Sequence, residues 1–175
     1  IILVPGAQEW IDAVLKEYDI ESEYADGVRI ATQDSIPFIR MAAFDVANRL
    51  MTLLTAFQAN AVIGNFIRAR GIGVVDGVNY QNSGRVEKIL KEPLQQILDQ
   101  GMIPIFPCIG WNAAGKPYNL DSDEIALAVA EALQAEKLFF VIDSDGFMES
   151  RFKLPSGLVK NSDGRVARLS LEEAQ

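Results

Sequence analysis

The chain has 175 residues, 49% hydrophobic and 23% charged, with 24 acidic against 16 basic side chains and a formal net charge of −8. That balance fits one soluble globular domain with a real core rather than a disordered or fibrous chain, and the lack of a basic stripe sets aside nucleic-acid binding. No apolar run nears the roughly 20 residues that cross a bilayer, a single Cys108 rules out an internal disulfide, and the absence of His removes the commonest general base and most zinc sites.

Ile1–Val4 is an apolar run too short for a helix and reads as a buried strand. Pro5-Gly6-Ala7 breaks it, and Ile11, Val14, Leu15 and Tyr18 then recur at helical spacing. Gly6 either lets a backbone N–H approach an anion at the helix N-terminus or serves a plain tight turn; the residues alone leave both open. Residues 21–26 read as an acidic surface loop, and 28–32 as a short strand that carries Arg29 among apolar neighbours. A charge in that setting wants an anionic partner. Asp34 or Ser35 then caps a long helix with Pro37 in its first turn. Its apolar stripe, from Ile36 and Ile39 to Leu53, Leu54 and Phe57, is core or subunit interface.

From residue 61 to 89 short alternating pieces are punctuated by Gly64, Gly71, Gly73, Gly77 and Gly84, with turn signals at Asp76-Gly77 and Asn82-Ser83-Gly84. This predicts an antiparallel hairpin region laid over an α/β core. Residues 93–100 form a short helix closed by Gly101. Residues 102–109 predict a buried strand whose Pro104 and Pro107 imply an edge position or an irregular end, with Cys108 a small core residue. Asp121 caps the next helix and Glu124 completes a capping box, with Ile125, Val129, Ala132 and Leu133 inward. A strand at 138–142, a polar turn Asp143-Ser144-Asp145-Gly146 and a hairpin turned at 161–164 complete the chain. It opens inside an apolar run without Met and stops as a helical pattern begins, so both ends read as cut from a longer protein.

Three motifs together resemble the amino-acid kinase family and, within it, the kinase-like domains of bacterial N-acetylglutamate synthases. They are Val4-Pro5-Gly6-Ala7 with Ile11-Asp12; Gly64-Asn65-Phe66 with residues 73–80 and Ser83-Gly84; and the run from Ile103-Pro104 through Asn119-Leu120-Asp121-Ser122-Asp123 to Lys137 and Asp143-Ser144-Asp145-Gly146. The resemblance implies a three-layer αβα fold with a mainly parallel sheet and a β-hairpin insertion at about 61–89. It implies a cytosolic protein of arginine biosynthesis that transfers acetyl from acetyl-CoA to glutamate through a C-terminal acetyltransferase domain absent here. Residues 1–175 would be a regulatory domain, without catalytic residues, metal or cofactor of its own, that senses L-arginine and joins a homo-oligomer.

Carried over by position, Gly6, Ala7, Arg29 and Asn119 match an acylamino-acid pocket, a guanidinium suiting a carboxylate and an amide both donating and accepting. Asp143, Asp145 and Gly146 match a nucleotide turn, and Lys137 falls where part of an arginine site is expected. An active acetylglutamate kinase is the competing reading. The departures count against it: a shorter glycine run at Pro5-Gly6-Ala7-Gln8, and an extra carboxylate at Asp121 where phosphoryl transfer needs positive charge. A scaffold whose long helix only builds an oligomer is the non-enzymatic reading.

Overall fold

The computed structural model describes residues 1–141, 143, 158–162 and 165–167. The chain forms two compact units, Ile1–Leu138 and Phe139–Gln175.

In the first unit the opening apolar run contributes a parallel bridge between Leu3 and Ile105. Ala7 stands at the N-cap of α1 (Gln8–Glu17), which buries Ile11 and Leu15. The expected acidic loop is instead half of a hairpin: β1 (Glu23–Ala25) pairs antiparallel with β2 (Val28–Ile30). Its turn residues Asp26 and Gly27 both have positive φ, +48° and +76°, the backbone that a two-residue Asp-Gly turn requires. The same device, Asp76-Gly77 at +49° and +82°, joins β5 (Val74–Val75) to β6 (Val78–Asn79), where the turn signal placed it.

The long helix α2 (Ile36–Ala56) starts at Ser35 with Pro37 in its first turn. Ser35 donates its hydroxyl to Thr32 rather than capping the helix with it. The first half of α2 is core, with Ile39 and Ala43 fully buried, whereas Leu53 and Phe57 are exposed.

Ala61–Ile63 (β3) leaves the predicted hairpin region and pairs parallel with β8 (Ile103–Ile105). A continuous apolar triplet suits a parallel strand covered on both faces. The hairpin proper is β4 (Ile67–Gly71) against β7 (Gly84–Ile89), antiparallel with a bulge between Arg68 and Ala69. The expected helix follows as α3 (Lys91–Asp99), with Leu94 buried and Gly101 at φ +74° after it. Pro104 does not make β8 an edge strand: β3 lies on one side and Leu3 on the other, with Leu3 N–H donating to the Pro104 carbonyl. The irregular end is real, since β8 stops before Phe106 and β9 (Ile109–Trp111) begins anew. β9 pairs with β10 (Pro117–Asn119), completing a mixed sheet in the order β10-β9-β4-β7.

Last comes α4 (Ser122–Leu133). α1 packs on α2, α2 on β3 and β10, α3 on β8, and α4 on β7, around a core of Ile11, Leu15, Ile39, Phe106, Ile109, Ile125 and Val129. Beyond α4 the expected strand at 138–142 does not form among the described residues: residues 138–141 pair with no described strand, and Val141 is 98% exposed. In the second unit Lys160 bridges Val166 antiparallel and Ala167 N–H bonds the Val159 carbonyl, the two sides of the expected hairpin.

Candidate functional site

Two helix N-termini meet around the glycine turn. A Cβ added at Gly6 would sit 3.6 Å from Ser122 Oγ, so the turn entering α1 lies on the first turn of α4. The two ends differ. Ala7 offers α1 no side-chain cap, and Ile11 N–H to the Ala7 carbonyl is the helix's first bond, which leaves first-turn N–H groups of α1 without intrahelical partners. α4 is closed: Asp121 Oδ1 accepts from the N–H groups of Asp123 and Glu124 at 2.8 and 2.9 Å. Glu124 does not complete the expected capping box, because its carboxylate reaches β7 instead, accepting from Val86 N–H at 2.9 Å and pairing with Arg85 at 3.2 Å. Cys108 Sγ lies 3.7 Å from the Pro5 carbonyl beneath the turn, and burial pushes its thiol up to about 11.

Arg29, on β2, is buried and finds the anionic partner its setting demands within the chain. Its Nη1 lies 2.6 Å from Asp12 Oδ1 on α1 and 2.8 Å from Ser22 Oγ. The guanidinium also stacks 4.8 Å from the Tyr24 ring centre, and the Tyr24 hydroxyl donates to Asp12. The Arg29 hydrogen bond, with help from Ser22 and Tyr24 against the cost of burial, holds the Asp12 carboxyl down at about 2. Burial raises the Tyr24 hydroxyl above the usual phenol range.

Asn119 joins the same region through the backbone. Its N–H bonds the Asn82 carbonyl at 2.9 Å, and Asn82 N–H bonds the Ala31 carbonyl at 2.9 Å. Ser83, 1% exposed, donates to the Arg29 carbonyl and accepts from Ala31 N–H at 2.8 Å. Thus Gly6 and Ala7, Arg29, and Asn119 are carried on segments stitched to one another: the two helix N-termini, β2 and the end of β10. Ser22 and Tyr24 are residues that sequence reasoning did not single out, while Asp12 and the buried Ser83 stood in the quoted motifs without a role assigned to them.

Lys137 is not in this group. It is exposed, three residues past the C-cap Gln134, and a twelve-residue helix puts about 18 Å between α4's two ends. Asp143 is exposed and belongs to the second unit. Asp145 and Gly146 lie outside the described residues. Among the described residues no cluster of side chains could hold a metal ion, and no helix is long and apolar enough to cross a membrane.

A glycine turn entering an uncapped helix N-terminus and packed on the start of a second helix, beside mixed parallel and antiparallel strands, marks a layered α/β domain. The model of the Amino acid kinase family matches residues 1–173, and the chain belongs to that family.

Amino-acid acetyltransferase of Shewanella oneidensis is 33% identical over 182 residues, covering 99% of this chain and 41% of that protein. Among solved structures, N-acetylglutamate synthase from Neisseria gonorrhoeae complexed with coenzyme A and N-acetyl-glutamate matches with a TM-score of 0.76 at 33% identity, over 89% of this chain and 36% of that one. The same synthase complexed with coenzyme A and L-arginine gives a TM-score of 0.76 at 31% identity, over 88% and 38%. The α/β fold that the resemblance implied is thus the fold of these structures. The chain spans well under half the length of these relatives.

Proposed function

We propose that these residues form the kinase-like, arginine-responsive domain of an N-acetylglutamate synthase of arginine biosynthesis, an enzyme that moves acetyl from acetyl-CoA to the amino group of L-glutamate. The observation that carries this reading is collinearity: 99% of the chain aligns with an amino-acid acetyltransferase, and its fold matches a synthase solved with L-arginine. Acetyl-CoA is then a co-substrate used elsewhere in the longer, cytosolic protein, and this domain needs no cofactor of its own.

In this reading Gly6, Ala7, Arg29 and Asn119 outline a pocket for a carboxylate-bearing amino-acid ligand, with Lys137 contributing to a separate arginine site. In the same reading Asp143, Asp145 and Gly146 are the remnant of a nucleotide site. Kinase chemistry is disfavoured by charge. Asp121 places a carboxylate at the N-terminus of α4, beside the glycine turn, and Arg29 is already neutralised by Asp12. The domain also supports a homo-oligomer, which would cover apolar side chains of α2 such as Leu53 and Phe57 that are exposed in the single chain.

Thermal unfolding with added ligand decides between the readings. A ligand at a hundred times its Kd stabilises by about 2.7 kcal/mol, so L-arginine should raise the midpoint clearly while MgATP leaves it unchanged. Stabilisation by MgATP, with phosphate transfer to N-acetyl-L-glutamate, would establish a kinase instead.

A further inference from the structure

The strand that carries Arg29 has little to hold it by itself. β1 and β2 are three residues each and form a sheet of their own, and a two-stranded ribbon of that size is at best marginal in water. Asp12 and Ser22 fasten the Arg29 side chain. The backbone is fastened from the other edge. A two-residue turn makes Ala25 and Val28 the closing hydrogen-bonded pair, so the Arg29 peptide groups point away from β1. There the Ser83 hydroxyl donates to the Arg29 carbonyl at 2.5 Å and accepts from the Ala31 N–H at 2.8 Å. The Asn82 N–H reaches the Ala31 carbonyl at 2.9 Å. One hydroxyl thus stands in for part of a neighbouring strand.

The same two residues face a second way. The Asn82 carbonyl accepts from the Asn119 N–H at 2.9 Å, and Ser83 bridges Asn119 in parallel. Ser83 also closes the base of the β5–β6 hairpin, its N–H donating to the Tyr80 carbonyl at 2.8 Å and its carbonyl accepting from the Ile72 N–H at 3.0 Å. Asn82-Ser83 is therefore a clasp between the segment of Arg29 and the segment of Asn119. Ser83 is 1% exposed and Asn82 2%, so water is not at hand to replace these bonds, and a buried network satisfied throughout rigidifies what it joins.

Register is what the clasp fixes. A slip of β2 by one residue would carry the Arg29 side chain to the opposite face. It would also turn the Arg29 carbonyl and the Ala31 N–H away from the hydroxyl that engages both. We propose that Ser83 is a positioning residue for the amino-acid pocket: without touching the ligand, its hydroxyl holds Arg29 in register and ties that strand to the strand end that carries Asn119. This rests on the pocket part of the reading above and names what keeps the pocket in shape.

Titration calorimetry with N-acetyl-L-glutamate, at a temperature where circular dichroism shows each variant folded, tests this. Ser83→Ala should raise Kd about tenfold or more. Ser83→Cys fills the space with a weak donor and acceptor, and should show the same loss even if the alanine variant fails to fold. Ser83→Thr keeps the hydroxyl and should bind nearly as tightly as wild type, even where its added methyl lowers the melting midpoint. Ile97→Ala, on α3 and away from the clasp, should lower the midpoint without changing Kd. Wild-type affinity in the alanine and cysteine variants overturns the proposal and leaves the pocket standing. Weakening in Ile97→Ala as large as in Ser83→Ala overturns it too, because affinity would then follow stability alone, and so does a threonine variant that binds no better than the alanine one. A wild type that does not bind N-acetyl-L-glutamate overturns the pocket together with the residue that positions it.

Discussion

Arg29 Nη1 lies 2.6 Å from Asp12 Oδ1, tying the strand β2 to the helix α1 across seventeen residues of sequence. The arginine side chain is 5% exposed and the aspartate 39%. A guanidinium so deeply placed must keep a counter-charge, so Asp12→Ala strands a buried cation and should cost about 3 kcal/mol, near the low end for a broken buried pair. Chemical denaturation measures that cost directly.

The same pair sets a pH dependence. Asp12 titrates at 3.8 when free and at about 2 in the folded chain. A depressed carboxyl stabilises fully above the free value, and the stabilisation disappears as pH falls from 3.8 through about 2. Because Asp12 is more than a third exposed, solvent screening reduces the contribution to about 1 kcal/mol. Wild type should therefore lose more stability than Asp12→Asn over that window, and the two curves should run parallel above pH 5. Equal acid slopes would show that the pair contributes nothing.

Gly110 sits where two sheet neighbours and a helix-entry residue leave no room. A Cβ there would lie 2.7 Å from Leu120 Cδ1 and 2.8 Å from Ala69 Cβ. Overpacking of this kind costs about 1–3 kcal/mol, so Gly110→Ala should lower the unfolding midpoint. Ala69→Gly should recover part of the loss in the double variant, since the two methyl groups compete for one space. Additive losses would place the strain elsewhere.

Much of this architecture was legible from local chemistry. The periodicity of α1, α3 and α4, the Asp121 cap and the Asp76-Gly77 turn need only residues a few positions apart, and each formed where expected. Asp26-Gly27 carries the same two-residue turn signal, but the strand before it, Glu23-Tyr24-Ala25, emerges from an acidic run without apolar alternation and reads locally as loop. Glu124 shows the opposite limit: three residues after the cap it has the spacing of a capping box, yet a tertiary partner, the Val86 N–H at an open strand edge, outcompetes the local one. Arg29's need for an anion was legible. That Asp12 would supply it was not, because the fold, and no local pattern, brings α1 over β2.

Cys108 is 4% exposed and its thiol is raised from 9.0 to about 11 by burial. The thiolate is the reactive form, and a rise of that size cuts its fraction about a hundredfold. A colorimetric disulfide reagent at pH 8 should label the native chain at least that much more slowly than the unfolded one. Fast labelling of the native chain would mean that the Pro5–Gly6 turn above the sulfur opens readily.

Asp12 also bears on what the proposed pocket can bind. Its carboxylate occupies Arg29 in the way a ligand carboxylate would, with Ser22 and Tyr24 holding it there. A ligand must share the guanidinium with that internal anion or displace it, and displacement costs the hydrogen bonds that keep the Asp12 carboxyl near 2. Asp12→Asn retains the shape and an acceptor but gives up the charge, so the cation becomes available to an outside carboxylate. N-acetyl-L-glutamate should then raise the melting midpoint of Asp12→Asn more than that of wild type, and should raise that of Arg29→Ala not at all. Binding as strong in Arg29→Ala as in wild type would remove Arg29 from the ligand site and leave it a purely structural tie between α1 and β2.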